Sequence, residues 1–179
     1  MKPYSDNIIF FDTEFSSLDP QKGEILSLGM VKPSGEEFYV ELDYKGEFNE
    51  WAKVHLVPFL TAPKLSRGDA CQKIRDFIGD DKPFLMSYVI EYDAAYLYKL
   101  FGVSDDAKNG NKDLPFHWIT IDFASLLFAA GIDPTTFTLK KRTEFLKELG
   151  IDPSQFREHH ALDDAKILKA AYQAFCTKF

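Results

Sequence analysis

Ile8-Ile9-Phe10-Phe11-Asp12-Thr13-Glu14-Phe15 is the stretch on which the reading of this chain turns. Its first four residues are β-branched or aromatic without interruption, the pattern of a central strand covered on both faces rather than of an alternating surface strand. Polar chemistry begins where that run ends. Asp12 and Glu14 are two residues apart, so on a strand they point to the same face and their carboxylates lie side by side. Two anions beside a core repel each other and lose hydration, a cost that a divalent cation offsets. Carboxylate oxygens are hard donors that suit Mg²⁺ or Mn²⁺ rather than zinc. The simpler alternative is that Glu14 faces solvent at the strand end.

Outward from this strand, Glu24 to Val31 and Glu37 to Leu42 read as two more strands, and Lys32-Pro33-Ser34-Gly35-Glu36 between them favours a hairpin. Three consecutive antiparallel strands are expected. The pattern then changes to helices over Trp51 to Leu60 and Arg67 to Ile78, a strand from Phe84 to Val89 and a helix from Asp93 to Phe101. A strand at Trp118 to Ile121 leads into an apolar helix, Phe123 to Ala130, stopped by Gly131 and Pro134. Thr138 to Leu149 is amphipathic and Ala161 to Phe175 forms the last helix. A hairpin set followed by alternating strand and helix predicts one α/β domain over residues 1–179, a mixed sheet with helices on its faces.

Composition agrees. The chain has 179 residues, 45% of them hydrophobic and 27% charged, with 17 Phe, 8 Tyr and 2 Trp to build a core. Its 21 basic and 28 acidic residues give a formal charge of −7, which excludes a strongly basic nucleic-acid coat and argues against long tracking of a phosphate backbone. Cys71 and Cys176 form no C-x-x-C pair, so a thiolate metal site is excluded and a reducing compartment is expected. The polar stretch before Ile8 has the pattern of neither a signal peptide nor a membrane span. A cytoplasmic protein without membrane association is the expectation.

Two further segments carry candidate chemistry. Asp93 shares a helical face with Leu97 and Leu100, which points its carboxylate inward, although Asp also serves readily as a helix N-cap. In His159-His160-Ala161-Leu162-Asp163-Asp164-Ala165, helical spacing puts Asp164 on the stripe of Leu168, Ala171 and Phe175 and turns Asp163 toward solvent. A His just ahead of that helix has the ordinary pKa of a general base near neutral pH, about 6.5. Helix geometry favours His160, four residues before Asp164, and either His can equally be a surface residue. Lys140, Lys141 and Arg142 form a compact basic cluster that reads as a solvated helix face or as a phosphate contact.

The order of these segments resembles the DEDDh 3′-to-5′ exonucleases, the group that includes RNase T, oligoribonuclease and the proofreading subunit of bacterial DNA polymerase. The matches are D-T-E at Asp12 to Glu14, Y-D at Tyr92 and Asp93, and H-x-A-x-x-D-A from His159 to Ala165. W-A-K-V-H-L-V-P at Trp51 to Pro58 and E-Y-D-A-A-Y-L at Glu91 to Leu97 look most like a small bacterial exoribonuclease branch. The resemblance implies an RNase H-like fold in which Asp12, Glu14, Asp93 and Asp164 hold two divalent cations and His159, rather than His160, deprotonates the attacking water. It implies hydrolysis at the 3′ end of single-stranded nucleic acid, RNA favoured over DNA, with release of nucleoside 5′-monophosphates, and a homodimer. By the same motif spacing Leu18 matches the residue that wedges against the terminal base and Phe15 borders that pocket, unless Phe15 belongs to the core. Ser16 and Ser17 replace a common T-G, and Val89 stands where many relatives have Asn.

Two other classes of function compete. A catalytically silent RNase H-like module would keep the fold and bind nucleic acid or protein. A metal-dependent phosphoesterase would act on small nucleotides. The intact acidic set together with His159 speaks against the silent module.

Overall fold

The computed structural model describes residues 2–103 and 114–178, leaving aside the side chains of residues 139 and 140. Six strands form one sheet: β1 (Ile8–Phe15), β2 (Ile25–Val31), β3 (Glu37–Leu42), β4 (Lys64–Leu65), β5 (Phe84–Ser87) and β6 (Ile121–Asp122), in the order β4-β3-β2-β1-β5-β6. The β1–β2–β3 meander is antiparallel, whereas β5 runs parallel to β1, β6 to β5 and β4 to β3. This is the mixed sheet with a hairpin set that the sequence predicts. The central place of β1 follows from its composition, since a strand apolar on both faces reaches full burial between two neighbours.

Side chains of β1 alternate between two cores. Ile9 and Phe11 pack with α2 (Arg67–Ile78) and α3 (Ile90–Phe101). Ile8 and Phe10 pack on the other face, with Phe123 and Leu127 of α4 (Phe123–Ala129), Phe145 and Leu146 of α5 (Leu139–Glu148) and the apolar stripe of α6 (Ala161–Lys178). Period-two alternation therefore continues Phe10 into Asp12 and Glu14, on the face that α6 covers. The close approach of α6 depends on Gly29 of β2, the register partner of Asp12. A Cβ at Gly29 would stand 2.3 Å from the backbone of Leu162, so α6 touches the sheet where only a hydrogen fits.

Four local expectations are corrected. The helix expected over Trp51 to Leu60 is α1 (Glu50–His55) followed by a 3₁₀ turn at Val57–Phe59, because Pro58 has no N–H with which to continue the α-helical ladder. The strand expected at Phe84 to Val89 stops at Ser87, and α3 starts at Ile90 rather than at Asp93. Asp93 is therefore inside the first turn and is not the N-cap, a position taken by Val89 without side-chain capping. Of the strand expected at Trp118 to Ile121, Ile121 alone pairs, with Met86, and β6 runs on to Asp122, which pairs with Ser87. The two-residue β4 has too little periodicity to be read from sequence. Among the described residues, no helix is long and apolar enough to cross a membrane.

Candidate active site

A cleft of about 540 Å³ opens where β1, the start of α3, the start of α5 and the start of α6 meet. Asp12, Glu14, Asp93, His159 and Asp164 all line it, together with Thr13, Phe15, Tyr88, Val89, Tyr92, Phe137, Thr138, Arg142 and Leu168. One carboxylate oxygen from each of Asp12, Glu14 and Asp164 lies within 4.8 Å of the others, a spacing that can hold a metal ion. Residues far apart in sequence meet because β1 brings two carboxylates to its end and α6, seated on Gly29, brings the third across them.

Asp93 is fixed differently. Its Oδ1 accepts the backbone N–H of Thr13 at 3.0 Å and the Thr13 hydroxyl at 2.5 Å, and its Oδ2 accepts the hydroxyl of Ser87. These donors partly offset burial, so its carboxyl is pushed up to about 6 by desolvation against the lowering effect of Ser87 and Thr13. Glu14, with no such donors among the causes of its shift, rises to about 8, through burial first and then the charges of Asp164 and Asp93. Asp12 is held well above the carboxylate range by burial and by Asp93, Asp164 and Glu14 in that order. Burial also raises Asp164, while Arg142 pulls it back. The three converging hard-oxygen donors of Asp12, Glu14 and Asp164 in one part-buried cleft fit a divalent cation, which relieves the repulsion and the desolvation together, and Asp93 adds a fourth negative charge beside them.

The two histidines separate clearly. His159 lines the cleft with a backbone φ of 55°, a left-handed conformation that is uncommon for a residue with a side chain, and the edge of Trp51 meets its ring at 4.9 Å between centroids. Burial holds its pKa below the ordinary value, which keeps the imidazole neutral near pH 7. His160 is engaged elsewhere: its Nε2 lies 2.7 Å from Nη2 of Arg157 and its ring stacks on Tyr39 at 4.7 Å. Helix spacing favoured His160 because it assumes a helical backbone, whereas α6 begins after both residues, at Ala161. Asp163 is not turned out to solvent as expected. It accepts hydrogen bonds from the backbone N–H and the Nε of Arg157, both at 3.1 Å.

Phe15 takes both of its expected parts, packing against the core and lining the cleft, with its ring stacked on Tyr96 at 4.6 Å and on Tyr92 at 6.0 Å. Leu18 is 68% exposed in the loop between β1 and β2 and is not among the residues that line the cleft. Arg142, read from the sequence only as part of a basic cluster facing solvent or phosphate, reaches the acids themselves. Its Nη1 donates to Oδ1 of Asp164 at 2.6 Å. The signal was present in the spacing, since Arg142 precedes the buried Phe145 and Leu146 by three and four residues and so shares their face. Its neighbour Lys141 is exposed and pairs with Asp133 at 3.0 Å, and the side chain of Lys140 lies outside the described residues. The basic cluster is thus divided between solvent and site.

No family model matches the chain, and no curated protein does. Solved structures match over nearly its whole length. Escherichia coli Exonuclease I in complex with a dT13 oligonucleotide is 15% identical with a TM-score of 0.68, over 95% of this chain and 40% of that one. Exonuclease I from Methylocaldum szegediense is 11% identical with a TM-score of 0.66, over 96% and 40%. A chain of the yeast NOT1 MIF4G domain and CAF1 co-crystal is 11% identical with a TM-score of 0.61, over 96% and 79%. The chain thus spans 40% of the length of the first two Exonuclease I chains. Identities of this order speak for architecture alone, and the architecture is an RNase H-like fold, a mixed α/β sheet with an antiparallel hairpin set and flanking helices.

Proposed function

We propose that this protein is a metal-dependent 3′-to-5′ exonuclease of the DEDDh superfamily, acting on single-stranded nucleic acid. The observation that carries the reading is the convergence of Asp12, Glu14 and Asp164 within 4.8 Å, in the same cleft as Asp93 and His159. The fold shared with an exonuclease crystallised with a dT13 oligonucleotide supports it. Asp12, Glu14, Asp93 and Asp164 would hold two divalent cations, Mg²⁺ or Mn²⁺, which supply charge stabilisation to the attacking water and to the leaving 3′ oxygen. His159, lining the same cleft and neutral near pH 7, would accept the proton of the attacking water. A bond forms from water oxygen to phosphorus, the bond to the 3′ oxygen breaks, that oxygen takes a proton from solvent, and a nucleoside 5′-monophosphate departs.

Phe15 and Tyr92 provide a ring surface at the cleft on which a terminal base of any identity can stack, and the part of Leu18 as a wedge against that base, from the exposed loop outside the cleft lining, rests on the sequence resemblance. The preference for RNA, the small exoribonuclease branch and a homodimer rest on the sequence resemblance. The test is release of mononucleotides from a 3′-labelled single strand, with RNA and DNA in parallel and each metal in turn. Mononucleotide release that needs metal and disappears in Asp12→Ala is expected. A wild type that binds the strand and releases nothing with either metal would make the protein a silent binding module instead.

A further inference from the structure

Arg142 sits where a metal ligand would be expected to find its partner. Helix α5 is responsible: Arg142, Phe145, Leu146 and Leu149 follow at i, i+3, i+4 and i+7, and the last three seal the helix onto the core. The same face carries the guanidinium into the cleft one turn before Phe145, while Lys141 beside it turns out to Asp133. Arg142 and Asp164 are each 14% exposed, so the bond between them is shielded from water. Among the described residues that line the cleft, Arg142 is the one side chain with a permanent positive charge, against four carboxylates. Its charge is felt by Asp12 and Glu14 as well as by its partner.

Building on the reading of the cluster as a divalent-cation site, we propose that Arg142 is its resident counter-ion, displaced from Asp164 when divalent cations bind and then free to grip a phosphate of the bound strand. A guanidinium and a divalent cation on the same carboxylate repel each other, and the cation, with several oxygens to gain, holds the site. The arginine is tethered within reach and cannot leave. Its planar fork of donors matches phosphate geometry, so the group that guards the acids in the absence of metal becomes a recognition element in its presence. The four acids then never face each other uncompensated.

Calorimetric titration with Mn²⁺ alone, without nucleic acid, tests the first half. In Arg142→Met, which keeps the apolar stem, Mn²⁺ binds about tenfold more tightly than in wild type because the competing charge is gone. The melting temperature of the metal-free variant falls at the same time. Titration of a nucleoside 5′-monophosphate into the Mn²⁺-loaded protein tests the second half, and its affinity drops about tenfold in Arg142→Met. Arg142→Lys keeps the competition for Asp164 and weakens phosphate binding. Opposite signs for metal and phosphate are the signature, since a merely structural arginine would weaken both. Unchanged or weaker Mn²⁺ binding in Arg142→Met overturns the exchange, and unchanged monophosphate binding overturns the grip. If wild type binds Mn²⁺ and obeys these signs yet cleaves no strand, the exonuclease reading fails and the exchange stands. A wild type that binds no Mn²⁺ overturns both.

Discussion

Thr13 gives two hydrogen bonds to a single oxygen of Asp93, one from its backbone N–H and one from its hydroxyl, across eighty positions of sequence. The strand that carries Asp12 and Glu14 thereby also orients the carboxylate that α3 contributes. Thr13→Val removes the hydroxyl and keeps the shape. It should cost about 1–2 kcal/mol of stability by leaving a buried carboxylate short of a donor, push Asp93 further above about 6 and weaken Mn²⁺ binding. Denaturant unfolding and calorimetry check this, and Thr13→Ser should restore most of both.

The stability of the metal-free protein should fall as pH rises, the reverse of the usual behaviour of carboxylates. Asp93 and Glu14 titrate at about 6 and about 8 in the folded chain, above their values of 3.8 and 4.5 in the unfolded one. Between those limits the folded state keeps protons that the unfolded state has released, so stabilisation present below the lower values is lost through the higher ones. Thermal melts at pH 5.5 and pH 8.5 should show a lower midpoint at the higher pH. Saturating Mn²⁺ should remove most of the difference, because the cation binds the ionised form. Equal metal-free midpoints would contradict the burial of these acids and their mutual repulsion.

His159→Ala should lower turnover by roughly 10²- to 10⁴-fold, the usual contribution of a general base, with Mn²⁺ binding retained. His160→Ala should retain turnover and lose some stability, because that ring stacks on Tyr39 and meets Arg157. Single-turnover kinetics on a labelled strand separate the two. Loss of turnover in His160→Ala alone would reverse the assignment.

Gly29→Ala should be among the most damaging small substitutions. The added Cβ would meet backbone atoms of Ala161 and Leu162, which cannot rotate away as a side-chain tip can. A loss of about 1–3 kcal/mol is expected, together with weaker Mn²⁺ binding, since Asp164 rides on the same turn of α6. A Gly29→Ala protein with wild-type metal affinity would show that α6 can shift without moving its carboxylate.

The sequence was most legible where a single physical rule dominates. A run of four apolar residues ended by D-T-E places β1, and period two alone turns both acids to one face. Asp93 was legible as an inward carboxylate, yet its helix begins three residues earlier than its pattern suggests, because Val89 adopts a left-handed conformation that no propensity favours. His159 required the motif, since its position depends on a backbone that is not helical at that point. For Arg142 the spacing gave the inward face, but that this face of α5 ends at the acids is a three-dimensional fact. The β4 and β6 pairings are two residues long, set by tertiary contact rather than by local pattern.

Asp122 closes β6 with a carboxylate that serves two masters: Oδ1 accepts the N–H of Val89 and of Ala124, and Oδ2 accepts the N–H and the hydroxyl of Ser125. The left-handed bend at position 89 is thus enforced from outside, by a neighbour, and does not depend on the isopropyl group it carries. The side chain on that lip of the cleft can therefore be exchanged without removing the hydrogen bond that holds its backbone.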